Sequence, residues 1–225
     1  ITITASKTDN YSSATLEIPV HITKAAQIIT VKAATDNKIS KVYGNSAFSL
    51  GAAASGSGAL TYKSSKTAVA AVDSSGKVTI KGTGTASITV TAAETAKYKK
   101  ATVKISLTVT AAAQKITLKA ASGSSLTKTY GASAFPLKAS TSGNGKLTYK
   151  SSDKKTAVVS SAGKVTLKGY GKAVITVTAA KTKLYKKAVK TLTIVVRPAR
   201  MAAVAATNPS SKTALLKWKK DSRAD

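Results

Sequence analysis

The chain has 225 residues, 43% hydrophobic and 5% aromatic, which is room for about two ordinary domains whose cores must rest on Val, Ile, Leu and Ala. It has no cysteine, which excludes disulfide frameworks, thiolate metal sites and cysteine nucleophiles, and it has no run of about 18 apolar residues that could span a membrane. The charge is extreme, 36 Lys+Arg against 8 Asp+Glu for a net +28, and such a surface attracts polyanions and repels its own copies.

The first residues, ITITASKTDNY, already alternate as a strand does, with no signal peptide ahead of them, so the chain reads as a piece cut from a longer one. From there strand patterns follow in order. Leu60 and Tyr62 sit between Thr61 and Lys63, and Val78 and Ile80 between Lys77, Thr79 and Lys81. Ile88 and Val90 alternate with Ser87, Thr89 and Thr91, and Val103, Ile105, Leu107 and Val109 alternate with Lys104, Ser106 and Thr108. One apolar face points to a core and one Lys/Thr face to water, as antiparallel sheets with one wet side require. Ser-Ser-Gly, Gly-Thr-Gly and Gly-Ser-Gly punctuate the strands, and no helix of two turns is indicated.

The whole pattern then returns. VYGNSAFSL (42–50) reappears as TYGASAFPL (129–137), LTYKSS (60–65) at 147–152, GKVTIKGTG (76–84) as GKVTLKGYG (163–171), and ITVTAAETAKYKKA (88–101) as ITVTAAKTKLYKKA (175–188). The same 87-residue offset ties ITITASKTDNYSSA (1–14) to 88–101. Solenoid repeats run about 20–50 residues because one unit cannot bury its own core; a unit of 87 can fold alone. The expected organisation is therefore the last strands of one repeat (1–25), two complete repeats (26–112 and 113–197) and a different segment (198–225). The fold class is all-β, tandem β-sandwiches of about seven strands each, beads on a string. Charge is uneven along them: residues 27–113 carry 11 basic and 3 acidic groups, residues 114–200 carry 18 and 1.

The inventory disfavours catalysis. His21 is the single histidine and lies on the alternating run IPVHITK. No acid recurs at the repeat offset, and residues 114–200 hold only Asp153, whereas a glycosidase pair or a carboxylate metal cage needs acids clustered in one domain; an internal Lys–Asn isopeptide crosslink needs a catalytic acid, which makes the second repeat a poor candidate for one. No catalytic, cofactor or metal residue is nominated. Gly82–Gly84 and Gly169–Gly171 lie between strands and open no helix, so they read as turns and not as phosphate loops. The recurring tyrosines, Tyr11/Tyr98/Tyr185, Tyr43/Tyr130 and Tyr62/Tyr149, either plug the sandwiches or form a stacking platform for glycans or bases; chains this poor in aromatics need them inside. The recurring lysines leave two readings open: solvated faces and blunted strand edges, or a polyanion-binding face. The candidates for the latter are Lys63, Lys77, Lys81, Lys99 and Lys100, with counterparts Lys150, Lys164, Lys168, Lys186 and Lys187. No motif for sequence-specific nucleic-acid recognition appears.

The run LTYKSSKTAVAAVDSSGKVTIKGTGTASITVTA (60–92), matched at 147–179, resembles the bacterial immunoglobulin-like domains of the group 2 type, with Tyr-x-Ser-Ser, Ala-Val-Ala-x-Val, Gly-Lys-Val and Gly-x-Gly-x-Ala-x-Ile-x-Val segments. In the second copy the Ala-Val-Ala-x-Val strand is shortened to TAVVSSAG (156–163). The resemblance covers about residues 27–197. Residues 198–225 resemble the opening of a fibronectin type III domain, with Leu216 and Trp218 at its core positions; without the rest of that domain Trp218 is expected to stay exposed. What these resemblances imply is an extracellular or cell-surface bacterial protein. Its role would be a structural spacer or stalk, or an adhesive module for polyanions such as teichoic acid, sulfated glycans or extracellular DNA. The expected state is a monomer, with strand pairing through the incomplete ends as the alternative.

Overall fold

The computed structural model describes residues 1–199 and, as backbone, the strands at 205–210 and 213–217. The expectations for Leu216 and Trp218 as side chains lie outside the described residues. All regular structure among the described residues is β-strand, and no helix among them is long and apolar enough to cross a membrane. The chain divides into two compact units, Ile1–Ala111 and Ala112–Asp225.

In the first unit, β1 (Thr2–Ala5) and β2 (Ala14–Glu17) form a separate hairpin. The strands of the sandwich follow: β3 (Ile29–Val31), β4 (Lys38–Val42), β5 (Phe48–Ser49), β6 (Ala52–Ala54), β7 (Leu60–Ser64), β8 (Ala70–Val72), β9 (Lys77–Ile80), β10 (Gly84–Ala92) and β11 (Ala101–Thr110). One sheet has the order β4-β11-β10-β7, and facing it lie β5-β9-β8 and the pair β3-β6. The leading strand is broken. Its first half, β3, pairs antiparallel with β6, and its second half, β4, crosses to lie parallel to β11, with Leu107 opposite Ile39 and Val109 opposite Lys41. Asp36 and Asn37, both at positive φ, make the turn between the halves.

The second unit repeats this plan as β12 (Ile116–Leu118), β13 (Ser125–Thr129), β14 (Phe135–Pro136), β15 (Ala139–Thr141), β16 (Leu147–Ser151), β17 (Ala157–Val159), β18 (Lys164–Leu167), β19 (Gly171–Ala179) and β20 (Ala188–Arg197). Its sheets are β13-β20-β19-β16, β14-β18-β17 and β12-β15. Outside it, β21 (Ala205–Ser210) pairs with β22 (Thr213–Lys217). Each sandwich thus has nine strand segments where about seven were expected. The difference comes from the split leading strand and the two-residue β5 and β14, which alternation alone does not show.

The cores follow the alternation read from the sequence. Leu50, Val78, Ile88, Val90, Ile105 and Leu107 are fully buried, as are Leu137, Val165, Ile175, Val177, Leu192 and Ile194 at the same offset. Each such aliphatic side chain contributes about 1.5–3 kcal/mol by leaving water. The fold is a tandem of immunoglobulin-like β-sandwiches.

Candidate functional site

Each sandwich is locked where its chain begins. Ala25 bridges Tyr98 in parallel, with Ala25 N–H donating to Lys97 O (2.9 Å) and Lys99 N–H to Ala25 O (2.8 Å). Two residues on, the buried Gln27 donates through Nε2 to Ala93 O (2.9 Å) and Lys99 O (2.7 Å). The second unit reproduces this: Ala112 N–H to Leu184 O, Lys186 N–H to Ala112 O, and Gln114 Nε2 to Ala180 O (2.9 Å) and Lys186 O (2.7 Å). Tyr98 and Tyr185 cover this lock so closely that a Cβ on Gly56 or Gly143 would lie 2.8 Å from the ring. Sequence reading passed over both glutamines, because a single Gln beside Ala-rich sequence looks like linker; the recurrence at 87 residues was the available signal.

The other recurring tyrosines of the two sandwiches are also structural. Tyr43, Tyr62, Tyr130 and Tyr149 pack against the two cores, and the rings of Tyr62 and Tyr149 close over Gly76 and Gly163, both at positive φ. Of the two readings left open, these six tyrosines support the one that places them inside the sandwiches. Tyr11, in the β1–β2 hairpin, is 78% exposed. Gly82–Gly84 and Gly169–Gly171 form the turns from β9 to β10 and from β18 to β19, with Gly84 and Gly171 at positive φ.

The carboxylates of the two sandwiches hold turns or pair across the surface. Asp73 Oδ1 accepts from Ser75 Oγ (2.7 Å), Ser75 N–H and Lys77 N–H (each 2.9 Å), and the Ser75 hydroxyl first among these holds its carboxyl below the usual range. Asp153 accepts from the Thr156 hydroxyl (2.6 Å) and Lys155 N–H (2.9 Å), which lowers its pKa in the same way. Glu94 pairs with Lys24, whose hydrogen bond lowers the Glu94 pKa; as an exposed pair it contributes little to stability. His21 is exposed. Among the described residues no group of three His, Asp or Glu side chains could hold a metal ion.

All ten nominated lysines are exposed. Lys63 and Lys150 stand on the outer face of the four-stranded sheets, on β7 and β16, beside Thr89 and Thr176 in register. Lys77 and Lys164 open β9 and β18 in the facing three-stranded sheets, and Lys81 and Lys168 follow those strands. Lys99, Lys100, Lys186 and Lys187 lie in the segments that lead into β11 and β20, next to the lock. Each set of five is therefore distributed over both sheets and a loop of its unit. Lys41 and Lys128 lie over the rings of Phe48 (4.6 Å) and Phe135 (5.2 Å) and pack as part of the fold. In the second unit Tyr149, Lys150, Ser151, Lys154, Val158 and Val159 line a depression of about 230 Å³ at the β16–β17 side of the sandwich. Lys154 was not among the nominated residues, since its counterpart in the first unit is Thr67 and repetition does not single it out.

A family model described as the intimin immunoglobulin-like domain matches residues 49–94 and 132–181, both stretches ending at the same point of the repeat. No curated protein matches the chain. Similar solved structures include mouse protocadherin-24 EC1-3, at 15% identity over 88% of this chain and 79% of that one (TM-score 0.34). Domains 4 and 5 of the S-layer protein SbsC are 20% identical over 76% of this chain and 96% of that one (0.33). A SusE-like surface located polysaccharide binding protein from the heparin utilisation locus of Bacteroides thetaiotaomicron is 13% identical over 76% of this chain and 34% of that one (0.27).

Proposed function

We propose that the chain is a non-catalytic structural spacer, a stalk segment of a bacterial cell-surface or secreted protein. The observation that carries this reading is the way each sandwich holds its two ends. The split leading strand places β4 parallel to the final strand β11, and β13 parallel to β20. Traction on the chain ahead of β4 and beyond β11 shears this pair, so several hydrogen bonds resist together instead of opening one by one. The Ala25 and Ala112 bridges and the Gln27 and Gln114 bonds add resistance ahead of those strands. The match of both repeats to an immunoglobulin-like domain of intimin supports a surface setting. The Tyr-x-Ser-Ser and Gly-x-Gly-x-Ala-x-Ile-x-Val segments support the group 2 type, and residues 198–225 fit the start of a fibronectin type III domain.

Adhesion to polyanions is the second reading, supported by the net +28 charge and the exposure of the lysines. Their spread over both sheets of each unit favours the spacer, whose charge needs no convergence. Heparin retention separates the two. Exchanging Lys150, Lys164 and Lys168 for Gln, or instead the exposed Lys146, Lys155 and Lys172, removes the same charge from the second unit. A spacer with scattered charge elutes at the same reduced salt concentration in both variants, because binding then follows counterion release alone. A distinctly larger loss for the first trio would favour the adhesin.

A further inference from the structure

We propose that the depression beside β16 and β17 of the second unit binds a single anionic sugar ring, a hexuronate or a sulfated hexose, and that the first unit does not. The two copies are identical through LTYKSS (60–65 and 147–152) and GKVT (76–79 and 163–166). Between these stretches four consecutive residues all differ: Lys66, Thr67, Ala68 and Val69 in the first copy, Asp153, Lys154, Lys155 and Thr156 in the second. The difference rebuilds the turn. Val69 is buried in the first core, whereas the buried Thr156 hydroxyl lies 2.6 Å from Asp153 Oδ2 and 3.0 Å from Tyr170 O. Asp153 N–H donates to Ser151 Oγ (3.3 Å), and Lys155 N–H donates to Asp153 Oδ1 (2.9 Å). Lys154 is thus carried on a turn fixed on both sides of it, and the carboxylate of Asp153 is engaged in that turn.

The lining defines the ligand. Val158 and Val159 supply an aliphatic wall, and the exposed Lys150 and Lys154 supply two ammonium groups with no ion-pair partner among the described residues. The Tyr149 hydroxyl has no hydrogen-bond partner among them either. Its ring is held by packing against the core and by the close approach of Gly163, where a Cβ would lie 2.8 Å from it. Ser151 is buried, and its hydroxyl already donates to Ala157 O (2.7 Å). The groups left for a ligand are therefore two cationic donors and one phenol beside aliphatic surface. A sugar ring with one carboxylate or sulfate matches each of them: C–H surface for the valines, hydroxyls for the phenol, and anionic oxygens for charge-assisted bonds from the lysines. The volume of about 230 Å³ falls below the roughly 300 Å³ at which sites for drug-sized ligands begin, and suits one ring. The first unit repeats Tyr62, Lys63 and Ser64 but has Thr67 and Ala71 in place of Lys154 and Val158, one ammonium fewer and a lower wall.

The test titrates the whole chain with glucuronate and, separately, with glucose 6-sulfate, with glucose as the neutral control, and follows backbone amide resonances. Saturable shifts are expected at Ser151, Lys154, Val158 and Val159, with a dissociation constant on the order of 1 mM for a ligand this small. Ser64, Thr67, Ala71 and Val72 are expected to show none. Preference between the two anions assigns the carboxylate or the sulfate as the group recognised. Lys154→Thr, which installs the residue of the first copy, is expected to weaken binding at least about fivefold, through loss of one charge-assisted bond. Lys146→Gln removes an exposed charge outside the depression and is expected to leave binding unchanged. Retention of a long polymer follows total charge, so the result is independent of the heparin test of the spacer reading. Failure to saturate with either anion, an equal response to glucose, equal shifts in both units, or equal losses in Lys154→Thr and Lys146→Gln would each overturn the proposal.

Discussion

The Thr141 hydroxyl donates to Oε1 of Gln114 at 2.9 Å, and Gly145 N–H adds a second bond at 3.3 Å. In the first unit Ala54 stands at the position of Thr141, and Oε1 of Gln27 is buried without a hydrogen-bond partner among the described residues. A buried acceptor left unsatisfied costs about 1–3 kcal/mol. The chain thus contains the same lock in a satisfied and an unsatisfied form. Thr141→Ala is expected to destabilise the second unit by about 1–2 kcal/mol, and Ala54→Thr to stabilise the first by about 1 kcal/mol. Hydrogen exchange of the whole chain, followed separately in the two units, checks both; no change in either would show that the amide oxygen does not matter.

Lys138 offers a second internal comparison. It lies at φ +47°, in the left-handed region, where the first unit has Gly51 at +59°. A side chain there costs about 1–2 kcal/mol, partly offset by the extra freedom that Gly brings to the unfolded chain. Lys138→Gly is therefore expected to be neutral or stabilising by up to about 1 kcal/mol, whereas Lys164→Gly, within β18, costs about 0.5–1 kcal/mol. Denaturant midpoints measured side by side give the answer, and equal losses at the two positions would contradict the reading.

Acid should weaken both units for the same reason. The folded pKa of Asp73 is lowered by Ser75 and the Lys77 amide, and that of Asp153 by Thr156 and the Lys155 amide. Between the folded and unfolded values the unfolded chain binds more protons, so stability rises with pH. The contribution is fully present above the unfolded value, about 4, and is lost as pH falls through the folded one. Thermal midpoints between pH 6 and 2 are expected to fall less steeply for Asp73→Asn in the first unit and Asp153→Asn in the second. Slopes equal to the parent's would show that these turns carry no linkage.

The comparison of sequence with structure divides along physical lines. Strands such as β10 and β11 were legible because each has one wet face, so apolar residues fall at every second position and the 87-residue copy repeats them. The break between β3 and β4 was not, since Asp36 and Asn37 adopt positive φ without the glycine that would mark it. Neither was the placement of the lysines: alternation shows that Lys63 and Lys77 point outward, but not that they stand on different sheets. At the start of β20 the residue pattern inverts, with Val189 exposed and Lys190 half-buried where Thr102 and Val103 stand in the first unit. An aliphatic lysine stem can lie along a sheet edge with its ammonium in water, so a charge at an inward position does not break the strand.

Stretching single molecules of the chain from its two ends tests the spacer reading most directly. Two sandwiches, each held by parallel shear of its outer strands, are expected to give two separate unfolding events. Each should release about 250 Å of chain, from roughly 3.6 Å per residue over one module less its folded length. The two lengths should agree within about 10%, and the forces should fall when Gln27 or Gln114 is exchanged for Ala. A single event of about twice that length, or extension without a force peak, would contradict the account.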